Sequence, residues 1–552
     1  MNESLRERVL HWIEGDPDIE DRETLQRLLD SGDERELHRR FDAPLTFGTA
    51  GLRGPVMAGP AGMNRYTVRR ATQGVIAWLG EIGVDAQRGV VVGRDGRNGS
   101  ESFNNEAVAV LLGAGVKVYE MPGPLPTPIV AYCVKRLGAA AGIMVTASHN
   151  PPLDNGYKLY SADGSQIVPP NDEIVERFAN EATTPELGER SSAHHRWVSH
   201  DLLDEYRHHF TQRFAVSGGS DLAITYTPLH GVGGAIMMEL FTGAGYSSVT
   251  PVAAQFHPDG AFPTLPFPNP EEPGALDLAM ARAEEVGSQL VIANDPDADR
   301  LGAAVRDGDG WHVLRGDQIG WLLASSMLPT MSDPHDVVAT TIVSSTLLRE
   351  MARDAGVTFA MTLTGFKWLA RAAGDGVLRL GYEEALGFAV DPEVADKDGL
   401  SAALALAHLA DDLRRHGETL MDRLDEIETR FGVHSVFQLS LRAEGPSGLS
   451  AIVNAVQALR DNPPTTLGGL AVSEYFDLAN GFEGLGATDG VLLRLGESGR
   501  VVVRPSGTEP KLKAYIEITS PPSSATPLAE QRRHGAALVD AVRADLRSLL
   551  NL

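Results

Sequence analysis

Ser148 lies in TASHNP, residues 146–151, directly after the apolar run AAAGIMV. A serine that ends a buried strand beside a histidine stands where the ligand of an open α/β sheet would sit. Those residue types suit a nucleophile, with a capping serine in a turn as the plainer reading. Thr146 and Asn150 fill the places where a G-x-S-x-G hydrolase elbow needs glycine, so that chemistry is disfavoured. Lys158, ten residues beyond Ser148 in DNGYKLY, can reach the same strand end, as general acid/base or as counter-charge to a phosphate.

A second polar loop, DPDADR, follows the apolar run LVIAN. Its carboxylates, Asp295, Asp297 and Asp299, alternate and are expected on one side of an extended segment. Crowded this way they repel unless a cation neutralises them, and hard oxygen donors suit Mg²⁺ or Ca²⁺. An EF-hand fails, because its glycine and closing glutamate positions hold Arg300 and Arg306. Few ligands beside an arginine favour Mg²⁺, with a solvated acidic turn as the alternative. A third loop, GYEEALG (381–387), presents adjacent glutamates that can bond sugar hydroxyls. A fourth, RPSGTEPK (504–511), gathers Arg504, Ser506, Thr508 and the amides around Gly507 into an anion nest. Gly-Lys occurs nowhere in the chain, which excludes a P-loop.

The elements that must position these loops read as alternating short strands and helices. Expected strands are 89–93, 115–121, 139–147, 222–227, 290–293, 337–343 and 359–363, with helices such as 104–113 and 345–355 between them. That alternation implies βαβ units. Towards the C-terminus VLLRL, VVVRP and LKAYIEI are close-spaced strands, followed by a helix over 529–550. Two short helices open the chain, the first with Leu5, Val9, Trp12 and Ile13 on one face. The chain of 552 residues, 43% apolar and 22% charged, has material for three to four buried cores. A net charge of −26 argues against nucleic acid and anionic membranes as partners, so any anionic ligand needs basic residues gathered locally. The single cysteine, Cys133, excludes a disulfide framework and a cysteine-based zinc site. With no signal-type or membrane-spanning run, a cytoplasmic protein is expected.

The four loops in this order resemble the α-D-phosphohexomutase family of phosphoglucomutases and phosphomannomutases across nearly the whole chain. FGTAGLRG (47–54), HNPPLDNGYKLY and TPLHGVGG (227–234) look most like the branch with phosphoglucomutase-2 and phosphopentomutase-type enzymes. The resemblance implies an α/β fold: three mixed-sheet α/β domains and a smaller C-terminal α+β domain around a central cleft. The expected divisions are 1–205, 206–328, 329–435 and 436–552. It implies that Ser148 is a phosphoserine and, with Asp295, Asp297 and Asp299, holds one Mg²⁺. His149, Lys158, Arg53 and Arg300 take active-site positions, with Lys158 as acid/base. Glu383, Lys367, Lys397, Arg504, Ser506, Gly507, Thr508 and Lys511 are implied substrate contacts. The implied reaction interconverts hexose 1- and 6-phosphates, glucose foremost and mannose next, with a sugar 1,6-bisphosphate as intermediate and activator. Alternatives are a pentose-phosphate mutase, a Mg²⁺-dependent sugar phosphatase or a non-catalytic sugar-phosphate sensor. The partner is a small sugar phosphate, and the chain is a monomer or homodimer. Ala385 stands where many relatives place a serine, so the sugar cannot be carried over from them.

Overall fold

The computed structural model describes residues 3–550 except 49–50, 309, 443–447 and 506–510. They form two compact units, Met1–Leu314 with Leu386–His408, and Arg315–Ala385 with Leu409–Leu552.

The first unit opens with three helices rather than two: Glu3–Gly15, Ile19–Ser31 and Glu34–Phe41. The extra break comes at Gly32, whose left-handed φ of 67° ends the second helix, and Asp33 caps the third. Leu5, Val9, Trp12, Leu25, Leu29, Leu37 and Phe41 close a small core of their own.

Six strands follow in one sheet: β1 (Leu52–Pro55), β2 (Val90–Arg94), β3 (Val118–Pro124), β4 (Ala141–Val145), β5 (Asp154–Ser161) and β6 (His195–Trp197). Their order is β1-β5-β4-β2-β3-β6. β4, β2, β3 and β6 run parallel, while β5, between β4 and β1, is antiparallel to both neighbours, so the sheet is mixed. β2 reads Val-Val-Val because parallel strands are covered on both faces. A second sheet contains β7 (Ile224–Thr227), β8 (Val249–Pro251), β9 (Leu290–Ala293), β10 (Gly302–Asp307) and β11 (Gly310–Leu314), in the order β11-β10-β9-β7-β8. The TASHNP loop leaves the C-terminal end of β4, and DPDADR leaves that of β9.

In the second unit, strand Asp336–Thr341 pairs in parallel with Thr358–Thr362 and Val377–Glu383. The C-terminal part is antiparallel, with Glu474–Asp477, Val491–Arg494, Gly499–Pro505, Lys511–Ser520 and Val433–Arg442 side by side. Its residues alternate between two cores. Val491, Leu493, Val501, Val503, Ala514 and Ile516 pack with helices Gly448–Asp461 and Leu528–Leu550. Leu492, Val502 and Tyr515 instead face Ile342 and Val343. This period of two is what an antiparallel strand covered on both faces requires. Glu517 ties the two parts together, accepting from Ser345 Oγ at 2.7 Å and from the Thr346 amide at 2.8 Å. Among the described residues no helix is long and apolar enough to cross a membrane.

Candidate active site

Ser148 is buried and left-handed, with φ 51°, a conformation that costs a non-glycine residue about 1 kcal/mol or more. Several buried groups hold it there. Thr146 Oγ1 accepts from the Ser148 amide at 2.9 Å and donates to Asp95 Oδ2 at 2.7 Å. Arg97 clamps the loop from beneath. Its Nη2 donates to the carbonyls of Ser148 and Asn150 at 2.6 Å each, and its Nη1 to those of Pro151 and Asp154 at 2.8 and 3.2 Å. Asp95 lies 3.5 Å from Arg97 Nε and balances the buried charge.

The register of β5 delivers Lys158 to this point. Tyr157 and Leu159 face the hydrophobic core, so Lys158 and Tyr160 face the opposite way. Lys158 Nζ donates to Asp297 Oδ2 at 2.7 Å and to Asp299 Oδ2 at 2.6 Å. Arg53, on the neighbouring β1, donates to Asn150 Oδ1 at 3.3 Å.

The three aspartates are fully buried, which removes the solvated-turn reading. They do not converge by strand alternation, as the spacing suggested, but through a turn with Ala298 left-handed at φ 56°. One carboxylate oxygen from each lies within 4.8 Å of the others, forming the one metal-competent cluster among the described residues. Ser148 Oγ donates to Asp295 Oδ2 at 2.7 Å, and the Arg300 amide to Asp295 Oδ1 at 3.0 Å. Asp297 Oδ1 and Asp299 Oδ1 are buried without a hydrogen-bond partner. Burial and the two neighbouring carboxylates push Asp295 well above the ordinary carboxylate range. Burial is the largest influence on Asp297 and Asp299 too and opposes their ionisation. The Lys158 ammonium, together with Thr127 at Asp297 and with Lys397 and Arg300 at Asp299, outweighs it and holds both below that range.

Glycines let neighbouring loops press against this turn. A Cβ on Gly231, in TPLHGVGG, would strike Pro296, and one on Gly399 would strike the Arg300 carbonyl. Lys397 Nζ reaches Asp299 Oδ2 at 3.0 Å, and Arg300 pairs with Glu271 at 3.3 Å. His149 Nδ1 lies 3.1 Å from Ser148 Oγ. Burial, followed by the guanidinium groups of Arg300 and Arg53, lowers its pKa well below the ordinary histidine value. The imidazole is therefore neutral at neutral pH.

Arg53, Ser148, His149, Lys158, the three aspartates, Arg300 and Lys397 all belong to the first unit; Lys367, Glu383, Arg504 and Lys511 belong to the second. Glu383 is buried at the end of Val377–Glu383. Its neighbour Glu384 accepts from Ser344 Oγ at 2.9 Å and returns its amide to the same oxygen at 3.1 Å. Arg504 lies near the end of Gly499–Pro505 and Lys511 begins Lys511–Ser520. Ser506, Gly507 and Thr508 lie outside the described residues, as do Thr49 and Ala50 of FGTAGLRG.

Sequence reading missed Asp95, Arg97 and Thr127, and gave Thr146 no part in holding Ser148. The first two belong to GRDGRNGS (93–100), a polar loop at the end of an apolar strand, the same signal that identified TASHNP.

Two α/β sheets thus present a buried serine and an acidic, metal-competent turn at their strand ends. Profiles of the phosphoglucomutase/phosphomannomutase α/β/α domains I, II and III match residues 44–185, 204–308 and 315–431, and that of the C-terminal domain matches 455–534. The chain belongs to the phosphoglucomutase/phosphomannomutase family, whose mutases are isomerases that transfer phosphate within one substrate. A Haemophilus influenzae protein named "Probable phosphomannomutase" is 39% identical over 461 residues, covering 83% of this chain and 93% of the relative. The mouse protein named phosphopentomutase is 33% identical, over 96% of this chain and 92% of its own. A phosphoglucomutase/phosphomannomutase family protein from Burkholderia thailandensis shares the fold with a TM-score of 0.69, at 21% identity over 91% of this chain and 97% of its own.

Proposed function

We propose that this chain interconverts hexose 1-phosphate and hexose 6-phosphate, glucose foremost and mannose next, through phosphorylated Ser148 and a sugar 1,6-bisphosphate. The observation that carries the reading is the buried Ser148 hydroxyl 2.7 Å from Asp295, in a chain of this mutase family.

The unpartnered Oδ1 atoms of Asp297 and Asp299 fit a bound cation, and an all-oxygen carboxylate set suits Mg²⁺. Asp295, Asp297, Asp299 and Ser148 would hold it. When bound, Mg²⁺ supplies positive charge that offsets the charge of the phosphoryl oxygens.

In the first half-reaction the bond from Ser148 Oγ to phosphorus breaks as a sugar hydroxyl oxygen bonds the same phosphorus. Lys158 is assigned the acid/base role toward that hydroxyl: the ammonium held against Asp297 and Asp299 must first give up a proton, and the neutral amine then takes the one the hydroxyl releases. His149, neutral and beside Ser148 Oγ, orients that oxygen and can stabilise it as it leaves. Arg53, Arg300 and Lys397 offset phosphate charge. Glu383 takes sugar hydroxyls, while Arg504 and Lys511, with Ser506, Gly507 and Thr508, hold the phosphate that is not reacting. Lys367 is a further substrate contact. The bisphosphate then reorients, and its other phosphoryl group returns to Ser148.

A pentose phosphate is the second reading, favoured by the similarity to a phosphopentomutase over nearly the full length. The test supplies glucose, mannose and ribose 1-phosphates with Mg²⁺ and a trace of the matching bisphosphate. Formation of the isomer supports a mutase, and relative kcat/KM assigns the sugar. Stoichiometric phosphate release would instead identify a phosphatase, and no turnover of any sugar would sink the catalytic reading.

A further inference from the structure

We infer that Thr127 is a positioning residue for the cation site, setting the rotamer of Asp297 so that its Oδ1 faces the metal. Resting on the metal reading above, this deepens it. Thr127 is the first residue of helix Thr127–Leu137 and is fully buried. It grips Asp297 twice: its Oγ1 donates to Asp297 Oδ2 at 2.6 Å, and its amide donates to the Asp297 carbonyl at 2.9 Å. Lys158 Nζ shares the same Oδ2 at 2.7 Å.

The consequence lies in the remaining oxygen. With Oδ2 engaged by a hydroxyl and an ammonium, Asp297 has only Oδ1 to offer, and that atom is buried without a partner. Asp299 repeats the pattern. Its Oδ2 takes Lys158 and Lys397, and its Oδ1 is likewise unpartnered. Lysine contacts are long-armed and adjustable, whereas Thr127 is fixed at χ1 by its branched Cβ and at the backbone by the helix. The hydroxyl is therefore the rigid half of the clamp on Asp297. Groups that orient a ligand in this way commonly change metal affinity by about 10–100-fold when removed.

The experiment titrates Mn²⁺ into purified full-length protein by calorimetry, for wild type, Thr127→Val, Thr127→Ala and Thr127→Ser. The two variants without a hydroxyl should bind Mn²⁺ about 10–100-fold more weakly, and Thr127→Ser within about threefold of wild type. Melting of the metal-free proteins separates binding from folding; if valine does not fit, the alanine variant carries the test. In an Asp297→Asn background the valine effect should shrink to less than about threefold, because the group it orients has changed. At saturating Mg²⁺ the kcat of Thr127→Val should recover further than its kcat/KM at limiting Mg²⁺, which a general structural defect would not produce. Wild-type protein that takes up no Mn²⁺ would overturn the metal reading itself. Wild type that binds while a folded Thr127→Val binds equally well would overturn the role of Thr127 and leave the metal site standing.

Discussion

Replacing Arg97 with lysine keeps the charge opposite Asp95 and removes only the guanidinium fork. In the native loop that fork holds four carbonyls, those of residues 148, 150, 151 and 154, at 2.6 to 3.2 Å. An ammonium has three donors on one nitrogen and cannot span four acceptors fixed by a planar fork. If two of the four contacts survive, two are lost. At about 1.5–3 kcal/mol for each charge-assisted bond, less what water recovers, the loop is destabilised by roughly 2–4 kcal/mol. The loss is local, so the assay is hydrogen–deuterium exchange on peptides spanning 145–156. Opening should become roughly thirty- to several-hundred-fold more frequent there, with peptides of the second unit unchanged. Turnover should fall by about tenfold or more, because Ser148 at φ 51° relaxes once its carbonyl is released. Wild-type exchange in 145–156 together with wild-type turnover would refute the clamp argument.

Three other outcomes are expected. Ser148→Ala should lower turnover by roughly a thousandfold or more and abolish the phosphate adduct in intact-protein mass spectra; an active alanine variant would remove the phosphoserine mechanism. Arg504→Ala should weaken apparent affinity for glucose 1-phosphate and glucose 6-phosphate by similar factors of about ten to a hundred, because it is proposed to grip whichever phosphate is not reacting. A loss confined to one isomer would show that it serves one binding mode only. Burial raises Asp317, which accepts from the Ser345 amide and the Tyr382 hydroxyl, to about 7 from the ordinary aspartate value of 3.8. The folded chain then keeps a proton that the unfolded chain has lost, so stability falls as pH rises between about 4 and 7, by up to about 4 kcal/mol. Asp317→Asn should remove that slope, and a melting difference from wild type that fails to widen from pH 5 to pH 8 would contradict it.

How much was legible can be judged element by element. β9 matches its expected span, 290–293, because a continuous apolar run bounded by polar residues has few other fates. β3 begins at Val118 rather than 115, since Gly115 is left-handed with φ 72° and breaks the strand's start. β5 escaped notice altogether. DNGYKLYS is polar enough to pass for a loop, and it becomes a strand because β4 and β1 pair with it on either side. The third N-terminal helix was missed for a related reason: its sequence, ERELHRRF, buries only Leu37 and Phe41 and depends on the other two helices for its core.

By itself the sequence determined the residue types of the chemistry and their places at strand ends, because apolar runs and polar loops are local features. Ser148, Lys158 and the three aspartates were all found that way. What only the tertiary structure decided is which atom of each group is left for use. Asp297 and Asp299 each have one oxygen engaged and one unpartnered because Lys158 arrives from β5, Lys397 from 386–408 and Thr127 from the start of a helix. Those donors lie about 100 to 170 residues away along the chain, and hydrogen bonds are directional and short-ranged. No local pattern encodes such a meeting; packing does.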